Sequence, residues 1–323
     1  MLPPLHLRSP PLLPTPTPFT PDFLFDPLQQ SIQQHIQRYD SSFELRAVHA
    51  ISGGCISRAM RFDGPTGSYF VKLNAAVHVD MFAAEAEGLQ ELSAAEAVRV
   101  PQAICHGLEG DTAFLVCQWL NLSSGSDKAA MLLGHQLAQL HRCTQQDFGW
   151  KRDNTIGATP QINTPHPDWC EFWREQRLGF QLHLGAKKGF PSRLINKGER
   201  LMAEVGTLLA GHAPQASLLH GDLWGGNWAV DDTGAPVLFD PAVYYGDREA
   251  DIAMTELFGG FPESFYAAYR ESWPLDEGYP MRRTLYNLYH ILNHFNLFDR
   301  EGGGGGYATQ AEAMMDSLLA ELS

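Results

Sequence analysis

The chain has no run of the roughly 18 uninterrupted apolar residues that a membrane helix requires; its nearest candidates are broken by Gln, His, Asp or Gly, so no integral membrane protein is expected. Positive charge is also scarce. Lys and Arg number 23 against 37 Asp and Glu, a net charge of -14, whereas a nucleic-acid binder needs a surplus of cations along its contact surface. Any phosphate handled here must be met locally, by one lysine, backbone amides or a metal. The five cysteines (Cys55, Cys105, Cys117, Cys143, Cys170) are odd in number, widely spaced and without a C-x-x-C pair. That pattern offers neither a disulfide framework nor a zinc site and suits a reducing, cytoplasmic setting. No G-x-S-x-G is present, which removes hydrolases built on a nucleophile elbow.

What the chain does have is enough length for two lobes and an ordinary globular composition: 323 residues, 44% hydrophobic and 19% charged, able to bury a sizeable core. Residues 1–25 are rich in Pro and Leu. Proline at that density works against both the apolar core of a secretory signal and an amphipathic targeting helix, and a disordered tail is expected there, with a weak organellar signal as the lesser alternative. Residues 26–40 space Leu28, Ile32 and Ile36 one helical turn apart. From Phe43 the pattern becomes strand-like, interrupted by Ser52 to Ser57 and by a Gly64-Pro65-Thr66-Gly67 turn, with Tyr69 to Leu73 as a further strand. Residues 82–97 have high helix propensity and 112–117 read as a strand. Beyond the polar break at 121–127 the chain reads as mostly helical, with strand-rich sequence only from Leu218 to Pro241. The glycine run 302–306 reads as a surface loop before a last helix. The expected plan is α+β and bilobal: a small β-rich N-lobe with one main helix (26–120) and a larger, mostly helical C-lobe (121–323).

The chemistry concentrates in His220-Gly221-Asp222-Leu223-Trp224-Gly225-Gly226-Asn227, followed by Val237-Leu238-Phe239-Asp240-Pro241. Phosphoryl transfer needs such a set: a carboxylate to orient and deprotonate the attacking hydroxyl, and an amide oxygen with a second carboxylate as hard ligands for Mg²⁺. Protein kinases place Asn five residues after the catalytic Asp, the offset of Asp222 and Asn227, and Asp240 closes the next strand where the metal-binding Asp belongs. Each residue alone could serve a tight turn. Upstream, however, Lys72 ends an alternating strand and Glu85 lies on the helix after it, the order in which a lysine grips phosphates and a glutamate holds the lysine. These parts predict a protein-kinase-like fold that uses ATP and Mg²⁺.

The stretches SGGCISRAMRF, YFVKLN, FAAEAEGL, HGDLWGGNW and FDPAVYYGDREADIAM resemble the fructosamine kinase family, relatives of the aminoglycoside and choline kinases, and the likeness runs from about Phe43 to the end. The resemblance implies ATP-dependent phosphorylation of the 3-hydroxyl of ketosamines, on a small molecule or a glycated protein amine, with loss of the phosphorylated sugar and release of the amine. It makes Asp222 the base, Asn227 and Asp240 the Mg²⁺ ligands, Lys72 the phosphate contact and Glu85 its partner. Glu87 is the rival for that last place, since residues two apart on a helix face different directions and only one can reach Lys72.

Gly53 and Gly54, with Ser57, would lie over the phosphates, although a plain hairpin turn would use the same residues. Cys55 within that turn could link two chains when oxidised, as the family permits, so a monomer and a homodimer both stay open. Trp224 is a candidate for packing on the sugar or amine, less so Trp228. His220 is expected to support the loop, and Asp251, on the helix after Asp240, to bond its backbone. His290 and His294 share a helix face without a third ligand and read as structural. Another amino-alcohol or aminoglycoside kinase, a nucleotide-binding scaffold and a metallophosphoesterase remain as rivals; the last lacks the further His and Asp pairs of a two-metal site.

Overall fold

A computed structural model describes residues 25–51, 57–298 and 305–322. The expected tail, save Phe25, and the turn carrying Gly53, Gly54 and Cys55 lie outside the described residues.

The first lobe is a five-stranded antiparallel sheet of β1 (Ala47–Ile51), β2 (Arg58–Gly64), β3 (Gly67–Ala75), β4 (Ala103–Glu109) and β5 (Thr112–Gln118), in the order β1-β2-β3-β5-β4. Helices α1 (Pro27–Gln37) and α2 (Val79–Ala94) cover its two faces. The period of two along each strand decides which face a residue serves. Tyr69, Val71 and Leu73 of β3, with Phe114 and Val116 of β5, point to one side and bury against Ile32 and Ile36 of α1. Ala113, Leu115 and Cys117 point to the other and bury against Phe82, Ala86 and Leu89 of α2. Lys72 pairs with Leu115 across the β3–β5 ladder, so alternation alone delivers it to the α2 side. Helix α1 begins at a reciprocal cap: Asp26 accepts from the Gln29 backbone at 2.8 Å while the Gln29 side chain accepts from the Asp26 N–H at 3.2 Å.

The second lobe is mostly helical. It contains α3 (Asp127–Leu140), β6 (Thr144–Gln145), a hairpin of β7 (Asn154–Ile156) and β8 (Thr159–Gln161), α4 (Trp169–Phe172), α5 (Phe180–Lys188) and α6 (Ser192–Leu208). After these come β9 (Ala216–Leu219), the hairpin β10 (Trp228–Val230) and β11 (Pro236–Leu238), and β12 (Tyr244–Gly246). Four helices finish the chain: α7 (Glu249–Glu256), α8 (Glu263–Ser272), α9 (Tyr279–Phe298) and α10 (Gly305–Ala320). Helices α3 and α8 pack so closely that a Cβ on Gly134 would lie 2.3 Å from the Phe265 carbonyl. The connection 119–126 joins the lobes and is pinned by paired backbone hydrogen bonds between Ser123 and Val230.

The structure departs from the sequence reading in several places. Strand β4 and the β7–β8 hairpin were not expected; β4 alternates weakly, and the hairpin strands are too short for a period to show. The expected glycine loop also ends earlier, because Gly305 and Gly306 already belong to α10. Tertiary packing overrides glycine's poor helix propensity there. Finally, within the stretch that reads as mostly helical, a π-helical segment, Trp173–Gly179, lies between α4 and α5. No helix among the described residues is long and apolar enough to cross a membrane.

Candidate active site

Strand β9 runs buried to Leu219 and ends in a turn that only glycine can make. Gly221 has φ +83, and a Cβ there would lie 2.0 Å from the Ala242 carbonyl. Both carboxylate oxygens of Asp251, on α7, receive the turn's backbone N–H groups, His220 at 2.8 Å and Gly221 at 2.9 Å. His220 Nε2 donates to the Phe239 carbonyl at 3.0 Å, and Nδ1 accepts from the Asp222 N–H at 3.3 Å. Burial pushes the His220 pKa down, and a ring with one donor and one acceptor position filled is a neutral supporting group. The turn thus aims the Asp222 side chain at the cleft.

Asn227 closes the loop. Its Nδ2 donates to the Asp222 carbonyl at 2.8 Å and lies 3.3 Å from Asp222 Oδ2, while its own carbonyl accepts from the Phe239 N–H at 3.1 Å. With the amide nitrogen committed to Asp222, the amide oxygen is the atom left to face a cation. Asp240 follows Phe239 in a left-handed conformation, φ +56, uncommon for a residue with a Cβ and a form of strain that collects at functional sites.

From the other lobe, Lys72 Nζ reaches Glu85 Oε1 at 2.6 Å and Asp240 Oδ1 at 2.7 Å. Glu87 does not compete: it faces away and pairs with Arg152 at 2.6 Å. Burial works against the Lys72 charge, but Asp240 and Glu85 outweigh it and raise the pKa, so the ammonium stays charged. Asp222 is different. Burial, and then the Asp240 charge, push its pKa up to about 7 against the opposing hydrogen bond from Asn227. A carboxyl poised near neutrality can accept a proton from a hydroxyl and release it again.

Trp224 is 39% exposed, and its ring lies over Gly226, where a Cβ would meet it at 2.3 Å. Trp228 instead stacks on Phe261, with ring centroids 5.6 Å apart. Beside the loop a cavity of about 550 Å³ opens towards the connection, lined by Leu122, Ser123, Gly125, Gly225, Trp228 and Phe239 among others. Ser57 accepts a hydrogen bond from Asn74 at 3.2 Å at the start of β2. His290 and His294 are joined by a hydrogen bond from the His294 ring to the His290 carbonyl, and no third metal-ligating side chain gathers with them among the described residues.

Two supporting groups had no local signal. His141, at the end of α3, hydrogen bonds Asp251 Oδ2 at 3.2 Å through Nε2 and Tyr269 Oη at 2.8 Å through Nδ1. Gln161 and Asn154 of the β7–β8 hairpin donate to the carbonyls of Ala242 and Val243, at 3.0 and 2.8 Å, and so fix the segment after Asp240. That hairpin rests in turn on buried Arg177, which donates to Ile162 O and Asn163 Oδ1 and is flanked by the rings of Phe172 and Tyr244. These partners lie about 80 to 110 residues from the groups they hold, so no spacing rule could join them.

A model of the fructosamine kinase family matches residues 27–321. The chain is 45% identical over 296 residues to a probable ketoamine kinase of Synechocystis sp., covering 91% of this chain and 97% of that one. It is 39% identical over 295 residues to the chloroplastic protein-ribulosamine 3-kinase of Oryza sativa subsp. indica, with 90% and 84% covered. Among solved structures, one assigned as a fructosamine-3-kinase from Haemophilus somnus 129PT superposes with a TM-score of 0.82 at 29% identity, covering 90% and 97%. The choline kinase LicA of Streptococcus pneumoniae shares the fold, with a TM-score of 0.63 at 13% identity and 91% and 99% covered.

Proposed function

The chain belongs to the fructosamine kinase family, and from that premise we propose that it transfers the γ-phosphoryl group of ATP to the 3-hydroxyl of a ketosamine. The observation that carries the proposal is the convergence on one cleft of Asp222, with its pKa raised to about 7, Asn227, Asp240 and the Lys72–Glu85 pair. In this reading Asp222 takes the hydroxyl proton as the oxygen attacks phosphorus. Lys72 binds the phosphates of the nucleotide, held at the right height by Glu85. The donor set of the Asp240 carboxylate and the Asn227 amide oxygen is all hard oxygen and fits Mg²⁺. When bound, that ion offsets the charge of the phosphates. Asp251, His220 and His141 keep the loop in place while its carboxylate changes protonation state. The exposed face of the Trp224 ring is placed to carry the sugar or the alkyl part of the amine, an apolar face beside a polar site. Ser57, with Gly53 and Gly54, would cover the phosphates.

Phosphorylation at the 3-position sets up loss of the sugar phosphate and return of the free amine, so the role we assign is repair of glycated amines in the cytoplasm. The test is ATP turnover with Mg²⁺ on ribulosyl-lysine and fructosyl-lysine, with choline and kanamycin as rival acceptors. Turnover should appear with a ketosamine and fall about 10²- to 10⁴-fold in Asp222→Asn. Turnover only with choline or kanamycin would keep the fold and reject the acceptor.

A further inference from the structure

Helix α2 carries acids on two sides. Glu85 faces the cleft and Lys72, whereas Glu87 and Glu91 face the helical lobe. Glu87 Oε1 accepts from Arg152 Nη1 at 2.6 Å, and its other oxygen lies 3.4 Å from Lys151 Nζ. Glu91 accepts from the Tyr245 hydroxyl at 2.8 Å and lies 3.6 Å from the same lysine. The three partners are tied together: Gly149, just before Lys151 and Arg152, exchanges backbone hydrogen bonds with Tyr245, both at 2.8 Å. Tyr245 itself stands five residues after Asp240, in β12.

Packing assists only along part of the helix. A Cβ on Gly88 would lie 3.1 Å from Val243, so α2 sits directly on the segment that follows Asp240. At its first turn it does not: a cavity of about 330 Å³, lined by Asp80, Met81, Arg152, Asp153, Asn154 and Thr155, separates the helix from the β7–β8 hairpin. Towards the helical lobe, Arg152 reaches across that gap to the Asp80 carbonyl at 3.5 Å and to Glu87 further along the helix, while the opposite face of the helix packs on the sheet through Phe82, Ala86 and Leu89.

We infer that Lys151, Arg152 and Tyr245 form a clamp that sets the position of α2 through Glu87 and Glu91, which makes Arg152 a positioning residue for the Lys72–Glu85 pair on the opposite side of the helix. The inference rests on the reading of that pair as the holder of the nucleotide phosphates. It differs from a general stabilising role in where its effect falls: loosening α2 weakens the grip on ATP and leaves the acceptor's side of the cleft, built on the Asp222 loop, untouched.

The test compares Arg152→Ala, Glu87→Ala and the double variant in the full chain at low ionic strength, where screening of partly exposed charges is smallest. Each single substitution should raise the KM for ATP about three- to tenfold with the KM for the ketosamine unchanged. The double variant should fall short of the product of the two singles, because both lose the Arg152–Glu87 contact while Glu87 also gives up Lys151 and Arg152 also gives up Asp80, and α2 amides should exchange hydrogen faster in all three. A KM for ATP within about twofold of the unmodified chain in both singles, effects that multiply in the double, or unchanged exchange in α2 would each overturn the clamp. Lys72→Met separates the two readings. If it retained full ATP use, the phosphate-holding reading would fall, while the exchange rates would still decide whether Arg152 holds the helix.

Discussion

On the sheet side of the cleft, Lys72 and Glu85 face each other as a buried ion pair, their side chains 12% and 14% exposed. On the helical side, Asp222, Asp240 and Asp251 come together without an arginine or lysine of their own lobe. Their partners there are neutral: the Asn227 amide, the His220 and Gly221 N–H groups and the His141 ring. Neutral donors fix where a carboxylate points but do not cancel its charge, so burial, and then the Asp240 charge, raise the Asp222 pKa towards neutrality. Among the described residues, Lys72 is the one lysine or arginine paired with any of the three. The upper wall supplies charge and the lower wall supplies geometry.

The largest break in that comparison comes from removing the cation. Lys72→Met keeps an unbranched side chain one atom shorter, without the charge, and leaves Glu85 beside Asp240 with no cationic partner. Loss of one member of a buried pair costs about 3–5 kcal/mol, and partial exposure of this pair places the expected loss near ~3 kcal/mol, read from denaturant midpoints, together with loss of ATP turnover. Lys72→Met/Glu85→Leu should recover most of the stability and none of the activity, since a well-packed apolar pair replaces an ion pair at little cost. Unaltered stability in the single variant would mean that the pair is not desolvated and that the two walls do not differ in the way described.

A smaller effect is expected from the lower wall. Asp251→Asn keeps one acceptor but turns an amide N–H₂ group towards the backbone N–H of His220 or Gly221. The unmet donor costs about 2 kcal/mol, and the loosened turn should lower kcat about 10- to 100-fold, because a small displacement of Asp222 affects the proton transfer and not the phosphates. The KM for ATP should stay put, as Lys72 is untouched. A rise in that KM with kcat preserved would place Asp251 in the service of the nucleotide and not of the loop.

The two walls were also unequally legible in the sequence. The upper one could be read from local rules: alternation in β3 carries Lys72 to the α2 face, and helix periodicity separates Glu85 from Glu87, although only the structure decides which of them faces inward. The loop from His220 to Asn227 and the strand closing at Asp240 were visible because their spacing is short and chemically demanding. Their supports were not. His141, Asn154, Gln161 and Arg177 act on groups brought near by tertiary folding alone, from elements such as the β7–β8 hairpin whose strands of three residues are below the length at which a period can be counted. The Gly53-Gly54-Cys55 turn stays outside the described residues, so its part in covering the phosphates rests on the sequence.

The finest distinction between the walls concerns protons. Two buried histidines of the lower lobe are held neutral, since burial pushes down the pKa of His141 and of His220, whereas at His212 burial is outweighed by Asp247, which raises the pKa. His290, on α9, is pushed down to about 3 by burial and then by its neighbour His294, against the opposing pull of Asp251. Its Nδ1 has no hydrogen-bond partner among the described residues. An unfolded histidine titrates near 6.5, so below that pH the unfolded chain binds a proton that the folded chain refuses, and stability falls as the pH falls. His290→Phe removes the refusal and keeps an aromatic ring against Tyr289, whose centroid lies 5.1 Å away. Near neutrality the variant should unfold at almost the same denaturant concentration. Between about pH 7 and about pH 5.5 it should lose less stability than the unmodified chain, by on the order of 1 kcal/mol, with His141 and His220 keeping part of the slope. An identical slope in both proteins would mean that His290 can take up its proton in place, and that the lower wall is less tightly closed to charge than its neutral donors imply.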